Sequence, residues 1–202
     1  MVDLATTAGR RGPYSNTARR KAEIVQAAER AFAVTGYHGG SLRQIARDLD
    51  LSFTSLRHHF PSKEALLIAV LEEADNREQA SFEKDLVRGG LIEAAVALAE
   101  RNLAKPESLR LLAVLAAEAS STSHPAHAWF VDRYDRVRAF FENGIRYDID
   151  QGRLPADTDV AEAAYALVAL WDGLQLQWLL DPHFELVPAL RKAFRIQLGQ
   201  TR

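Results

Sequence analysis

Between Ser41 and Phe60 the chain reads SLRQIARDLDLSFTSLRHHF, and no other run constrains its fold so tightly. Ser41 stands three residues before Gln44, the spacing at which each side chain can satisfy the other's free backbone N–H at a helix start. Leu42, Ile45 and Leu49 then put an apolar stripe on one short helix, which the pattern predicts to end near Asp50. After a turn at Asp50-Leu51, Ser52 can cap a second helix bearing Leu56 and Phe60, and Pro61 stops it. Two short helices joined by a tight turn form a helix-turn-helix unit. Leu42, Ile45, Leu49, Leu51 and Leu56 lock the pair at a crossed angle. Ser52, Phe53, Thr54, Arg57 and His58 are left on the outer face of the second helix, free to enter a major groove wide enough for an α-helix. Spacing alone suits any short αα-hairpin equally well.

The flanking sequence is helical too. From Thr17 a first helix carries Ile24, Ala28, Ala31 and Phe32 toward a stop at Gly36, and Gly39-Gly40 mark a loop. Ser62 can cap a fourth helix, Lys63 to about Glu78, whose stripe is Leu66, Leu67, Val70, Leu71 and Ala74. Further helices are expected at about 90–104, 107–121, 126–151, 158–180 and 185–198. They are separated by Gly89-Gly90, Pro106, the Ser120–Pro125 cluster, Gly152–Pro155 and Asp181-Pro182. β-Branched residues are sparse and no two-residue alternation persists, so the expected fold is all-α, with about nine helices. A three-helix helix-turn-helix head would precede a helical body. The boundaries this implies are a basic arm at 1–16, a head at 17–77 and a body at 78–202.

Composition narrows the functional classes. With 48% hydrophobic and 26% charged residues the chain can bury a core. It has no run of 18 uncharged apolar residues and no apolar signal core within Met1–Arg20, so a cytoplasmic protein without a membrane span is expected. There is no cysteine, hence no disulfide, thiolate nucleophile or Cys-based zinc site. Glycine-rich phosphate loops, G-x-S-x-G and H-E-x-x-H are missing from the sequence, so neither an enzyme nor a cofactor is expected. His124 and His127 have a spacing seen in metal sites, and His58-His59 are adjacent, but no carboxylate set accompanies them and no metal is expected. Charge is unevenly spread. Residues 1–63 hold ten Lys or Arg against five Asp or Glu, and the remainder fifteen against twenty-two, for a total of −2. Separating a phosphate-facing surface from an acidic body would produce this pattern, as would ordinary solvated faces.

The segment Ile24–Leu71 resembles the N-terminal domain of the TetR family of regulators. The shared features are a first helix ending in A-x-x-G (Ala33–Gly36), Tyr37, S-L-R-Q-I-A, Leu51-Ser52, and S-L-x-H-x-F-P-S-K-E-A-L-L through Leu67. The resemblance implies an all-α homodimer that binds double-stranded operator DNA and holds an internal effector pocket. It implies that Ser41 caps the second helix and touches phosphate, that Arg43 reaches the backbone or a base, and that Leu42 and Gln44 belong to the same DNA-binding element. Ser52, Phe53, Thr54 and Ser55 open the recognition helix, followed by Arg57, His58 and His59, with Lys63 at the start of the fourth helix. Three departures stand out: Asp50 replaces a usual Gly, Arg57 a usual Tyr, and Phe53-Thr54 the common Lys-Gly. Asp tolerates left-handed geometry, so the turn can survive. Arg57 can pair with guanine or hold a phosphate. Of the basic arm, Arg19, Arg20 and Lys21 are expected to aid phosphate binding, and Arg10 and Arg11 to contribute little.

In the body, the helix at 158–180 and its successor carry long apolar stripes. Packed against a symmetry mate they would form a four-helix interface through Ala164, Val168, Trp171, Trp178, Leu190 and Phe194; the same stripes can serve the protomer's own core. Trp129, Arg133, Tyr134, Phe141, Trp171 and Gln175 are candidates to line a cavity for a partly apolar or aromatic effector, though aromatic residues at this spacing also make plain core. The expected function is a homodimeric repressor released by that effector. The alternative is a helical ligand- or partner-binding protein that does not read DNA.

Overall fold

The computed structural model describes residues 13–75 and 79–200, so residues 1–12 of the expected arm, with Arg10 and Arg11, lie outside the described residues. Among the described residues there are nine helices and no strand: α1 (Pro13–Gly39), α2 (Leu42–Asp48), α3 (Phe53–His59), α4 (Lys63–Asp75), α5 (Gln79–Leu103), α6 (Pro106–Glu118), α7 (His127–Asp150), α8 (Val160–Leu180) and α9 (Leu186–Gln197). No helix among them is long and apolar enough to cross a membrane.

Two elements start earlier than their periodicity suggests. α1 begins at Pro13 rather than Thr17, a good helix start because proline lacks only an N–H that the first turn leaves unused. α5 begins at Gln79, and the expected break at Gly89-Gly90 is present as a non-helical kink between its two halves. Gly90 sits at φ 81, a left-handed conformation that kinks the helix, and the earlier half is anchored by the fully buried Phe82.

Two clusters of buried side chains hold the fold. The first joins Ile24, Ala28 and Phe32 of α1 to Ile45, Leu56, Leu66, Leu67 and Leu71, and it continues into Leu111, Leu115 and Ala119 of α6 and Phe130 of α7. The helix-turn-helix therefore shares its core with α6, which lies along α1. The second cluster joins α5, α7, α8 and α9 through Phe82, Leu91, Phe141, Ile145, Leu167, Leu190 and Phe194. At the kink, the Leu91 N–H donates to the buried Asp148 carboxylate at 2.9 Å, which also pairs with Arg153 at 3.0 Å. α1 has a similar break at Gly36 (φ 67), where the Tyr37 N–H donates to Glu118 of α6 at 2.7 Å.

Candidate nucleic-acid interface and ligand cavity

The helix-turn-helix is capped as its serines suggest. Ser41 Oγ accepts from the Gln44 N–H at a long 3.4 Å, Ser52 Oγ from the Ser55 N–H at 3.0 Å, and Ser62 Oγ from the Ala65 N–H at 3.1 Å. Between α2 and α3 the chain turns through Asp50 at φ 54, and the Leu51 N–H returns to the Ala46 carbonyl at 2.8 Å. A carboxylate side chain thus occupies the left-handed site where glycine is usual.

At 100° per residue, Leu56 faces the core, and Thr54 and His58, one turn apart, stand at the centre of the opposite, exposed face of α3. Phe53 is half-buried, and its ring supports the Arg43 guanidinium 5.2 Å away, which explains an aromatic residue at this edge. Arg57 is exposed, its Nε donating to the Pro61 carbonyl at 3.3 Å, so the guanidinium is drawn toward the end of α3. His59 is half-buried at the other edge. Burial lowers its pKa, and the charges of His58, Lys21 and Arg20 lower it further, so α1 and α3 form one electropositive face. Arg19 and Arg20 both pair with Glu23, at 3.6 and 2.7 Å; Arg19 is exposed and Arg20 half-buried.

Three expected contact residues are otherwise engaged. Leu42 is half-buried against the first core, because it is the residue that docks α2. The Gln44 amide donates to Asp48 at 2.6 Å and accepts from Arg47, both within α2. Lys63 places its ammonium 4.4 Å from the Tyr37 ring and donates to the His38 carbonyl at 3.3 Å. Burial lowers its pKa, which the Glu64 and Glu118 carboxylates oppose.

A half-open cavity of about 610 Å³ lies between α4, α5, α6, α7 and α8. Of the expected lining residues it brings together Arg133, Tyr134, Phe141, Trp171 and Gln175. Trp129 lies outside that wall; it packs edge-on to Phe130 against the first core, with Arg136 over its ring at 5.9 Å. Sequence reasoning missed Phe82, Asp75 and Asp172. Asp172 carried a signal, being the only charged residue between Glu162 and Asp181. The Tyr134 hydroxyl donates to Asp172 at 2.7 Å, and burial together with this acid pushes the phenol up to about 12. Asp75, at the end of α4, holds Arg133 at 2.9 Å and Arg136 at 3.0 Å. Ser108 of α6 lines the cavity and also donates to Glu29 of α1.

The expected dimer residues divide differently. Ala164, Val168, Leu190 and Phe194 are buried inside the protomer, and Trp171 and Trp178 are half-buried against the second core. The stripes of α8 and α9 face inward because α5 and α7 need the same apolar surface. Their outer faces instead expose Tyr165, Leu176, Leu180 and Ile196. His124 and His127 serve structure: His124 is buried edge-on to Tyr37, and His127 Nδ1 lies 2.8 Å from the Ala119 carbonyl.

Comparison with known proteins assigns this arrangement. Residues 24–70 match the model of bacterial regulatory proteins of the tetR family, and residues 90–196 that of the C-terminal region of BetI-type transcriptional repressors. The chain is 30% identical over 169 residues to the HTH-type transcriptional regulator PksA of Bacillus subtilis, covering 81% of this chain and 80% of PksA. GusR of Salmonella enterica superposes with a TM-score of 0.75 at 25% identity, over 95% of this chain and 100% of GusR. A transcriptional regulator from Saccharomonospora viridis, solved in complex with choline, has a TM-score of 0.71 at 25% identity, over 91% and 97% of the two chains. These relatives are regulators rather than enzymes. With an exposed recognition helix on an all-helical frame, the chain belongs to the TetR family of DNA-binding transcriptional regulators.

Proposed function

We propose that this regulator is a homodimeric repressor acting on an operator in the cytoplasm and released by a small, partly apolar effector. The division into a head (17–77) and a body (78–202) fits this reading, with α6 as the seam. Thr54 and His58 are the side chains best placed to meet base edges. Ser41, Arg43, Ser52, Ser55, Arg57 and His59, with Arg20 and Lys21, surround them as phosphate contacts, which position the protein without specifying sequence. Two heads roughly 34 Å apart are needed to occupy successive major grooves. The exposed apolar side chains Tyr165, Leu176, Leu180 and Ile196 favour pairing through the outer faces of α8 and α9.

One observation carries the repressor reading: the cavity wall includes the two helices that hold the head. Ala74 and Asp75 end α4, and Ser108, Leu109 and Leu112 belong to α6, against which α1 packs. A ligand shifts a conformational equilibrium only as far as it binds one state better than the other. A cavity shared with α4 and α6 gives it that leverage, since moving either helix changes the spacing of paired heads. Footprinting on DNA flanking the protein's own gene, repeated with extracts of small molecules, tests this. A protected palindrome lost on adding a ligand is expected; protection that no ligand alters, or an equimolar monomer on the DNA, would contradict it.

A further inference from the structure

We propose that the cavity is built for an organic cation, an alkylated ammonium with an apolar or aryl body, whose charge rests against Asp172. This inference presupposes that the cavity takes an effector, and it names the chemistry of that effector. Asp172 lies on the wall with one hydrogen bond to the protein, from the Tyr134 hydroxyl, and no ion pair among the described residues. Burial raises its pKa, and the Tyr134 bond and the charge of Arg133 oppose that rise. Asp172 is half-buried, and a carboxylate drawn out of water without an ion pair costs free energy, so its place on the cavity wall calls for a cationic partner.

The cations of the wall do not supply that partner. Arg133 and Arg136 both hold Asp75, and Arg101 holds Asp85 at 2.8 Å. Lys105 is exposed at the edge. An anionic ligand would have to take an arginine from its carboxylate, whereas a cationic one meets an acid that only a phenol engages. The remaining wall is rich in aromatic residues: Phe82, Phe130, Phe140, Phe141 and Trp171. Aromatic walls suit alkylated ammonium groups, which are attracted to ring faces and are weakly hydrated. The Gln175 side chain, nine-tenths buried on the same helix, makes no hydrogen bond to the described protein and offers an amide to a hydroxyl or carbonyl of the ligand.

Three probes of one shape separate charge from apolar contact: benzyltrimethylammonium, its neutral isostere neopentylbenzene, and phenylacetate. Binding is followed by tryptophan fluorescence and calorimetry on the full chain, with operator affinity measured in parallel. Benzyltrimethylammonium is expected to bind at least tenfold tighter than either of the others. Asp172→Asn is expected to erase that preference while neopentylbenzene binds within twofold of the parent, which reports an intact cavity. Stronger binding of phenylacetate, a preference that survives Asp172→Asn, or no binding of any probe would overturn the assignment. Asp172-dependent cation binding that leaves operator affinity untouched supports the assignment and removes the effector reading. Release from DNA by the neutral or anionic probe alone does the reverse.

Discussion

At Gly36 and again at Gly90 a left-handed glycine interrupts a helix, and each time the next backbone N–H donates to a carboxylate from far along the chain. Glu118 receives Tyr37 and Asp148 receives Leu91, so the two joints use the same parts. Their surroundings differ. Asp148 is 3% exposed, is paired with Arg153, and sits in the second core. The Glu118 side chain is 27% exposed, and its nearest basic neighbour is His124 at 3.7 Å, charged only when protonated. Burial lowers the His124 pKa, and His38 lowers it further, while Glu118 acts in the opposite direction. The joint within the body is thus fixed by a buried acid with a permanent cation. The break at Gly36 instead rests on one charged hydrogen bond at the edge of solvent, beside the apolar core that α1 shares with α6.

The comparison breaks first at Asp148. Asp148→Ala strands a buried N–H and removes a charge-assisted bond, a loss of about 3 kcal/mol that lowers the melting temperature by roughly 6–12 °C. Glu118→Ala removes the matching bond where water can replace it, so about 1–2 kcal/mol is expected. Operator affinity should fall in parallel, read by fluorescence anisotropy. If the Glu118 variant melts lower than the Asp148 variant, the ranking of the joints is wrong.

Acid should loosen the head joint further. The folded pKa of His124 lies below its unfolded value, so its contribution is present above about pH 6.5 and is lost as the pH falls below that value. Urea melts at pH 7.5 and 5.5 should differ by under roughly 1 kcal/mol from this residue. His124→Asn should flatten the difference in part, since His59 is shifted the same way. Unchanged pH dependence in that variant would remove His124 from the joint. The smallest effect is at Asp172, the acid with no cation. Asp172→Asn should raise stability by about 0.5 kcal/mol, in contrast to the loss at Asp148, because binding sites retain groups that cost stability.

Much of this was legible in the sequence because local rules govern it. Serine caps and apolar spacing set α2, α3 and α4, and the tolerance of Asp50 for left-handed geometry kept the turn. The motif shared with the family marked the face proposed to meet DNA. What stayed hidden depended on distant partners. Nothing local to Gly90 tells that Asp148 will receive the N–H after the kink, nor local to Gly36 that Glu118 will do the same. Five of six cavity residues followed from aromatic spacing on two helices, but periodicity could not say which side of α8 faces inward. The stripe through Ala164 and Val168 was therefore open to two readings and is core. Nothing local to Phe53 tells that Arg43, on another helix, will lie over its ring.

The account turns on the exposed face of α3 reading sequence. Selection of random-sequence duplexes on the protein at physiological salt, with His58→Ala and Lys21→Ala in parallel, tests it most directly. A palindrome with half-sites roughly 10 base pairs apart should emerge, His58→Ala relaxing the preference at one position per half-site and Lys21→Ala weakening all sequences alike. Failure to enrich any sequence, or a His58 variant that selects the parent's palindrome unchanged, would contradict it.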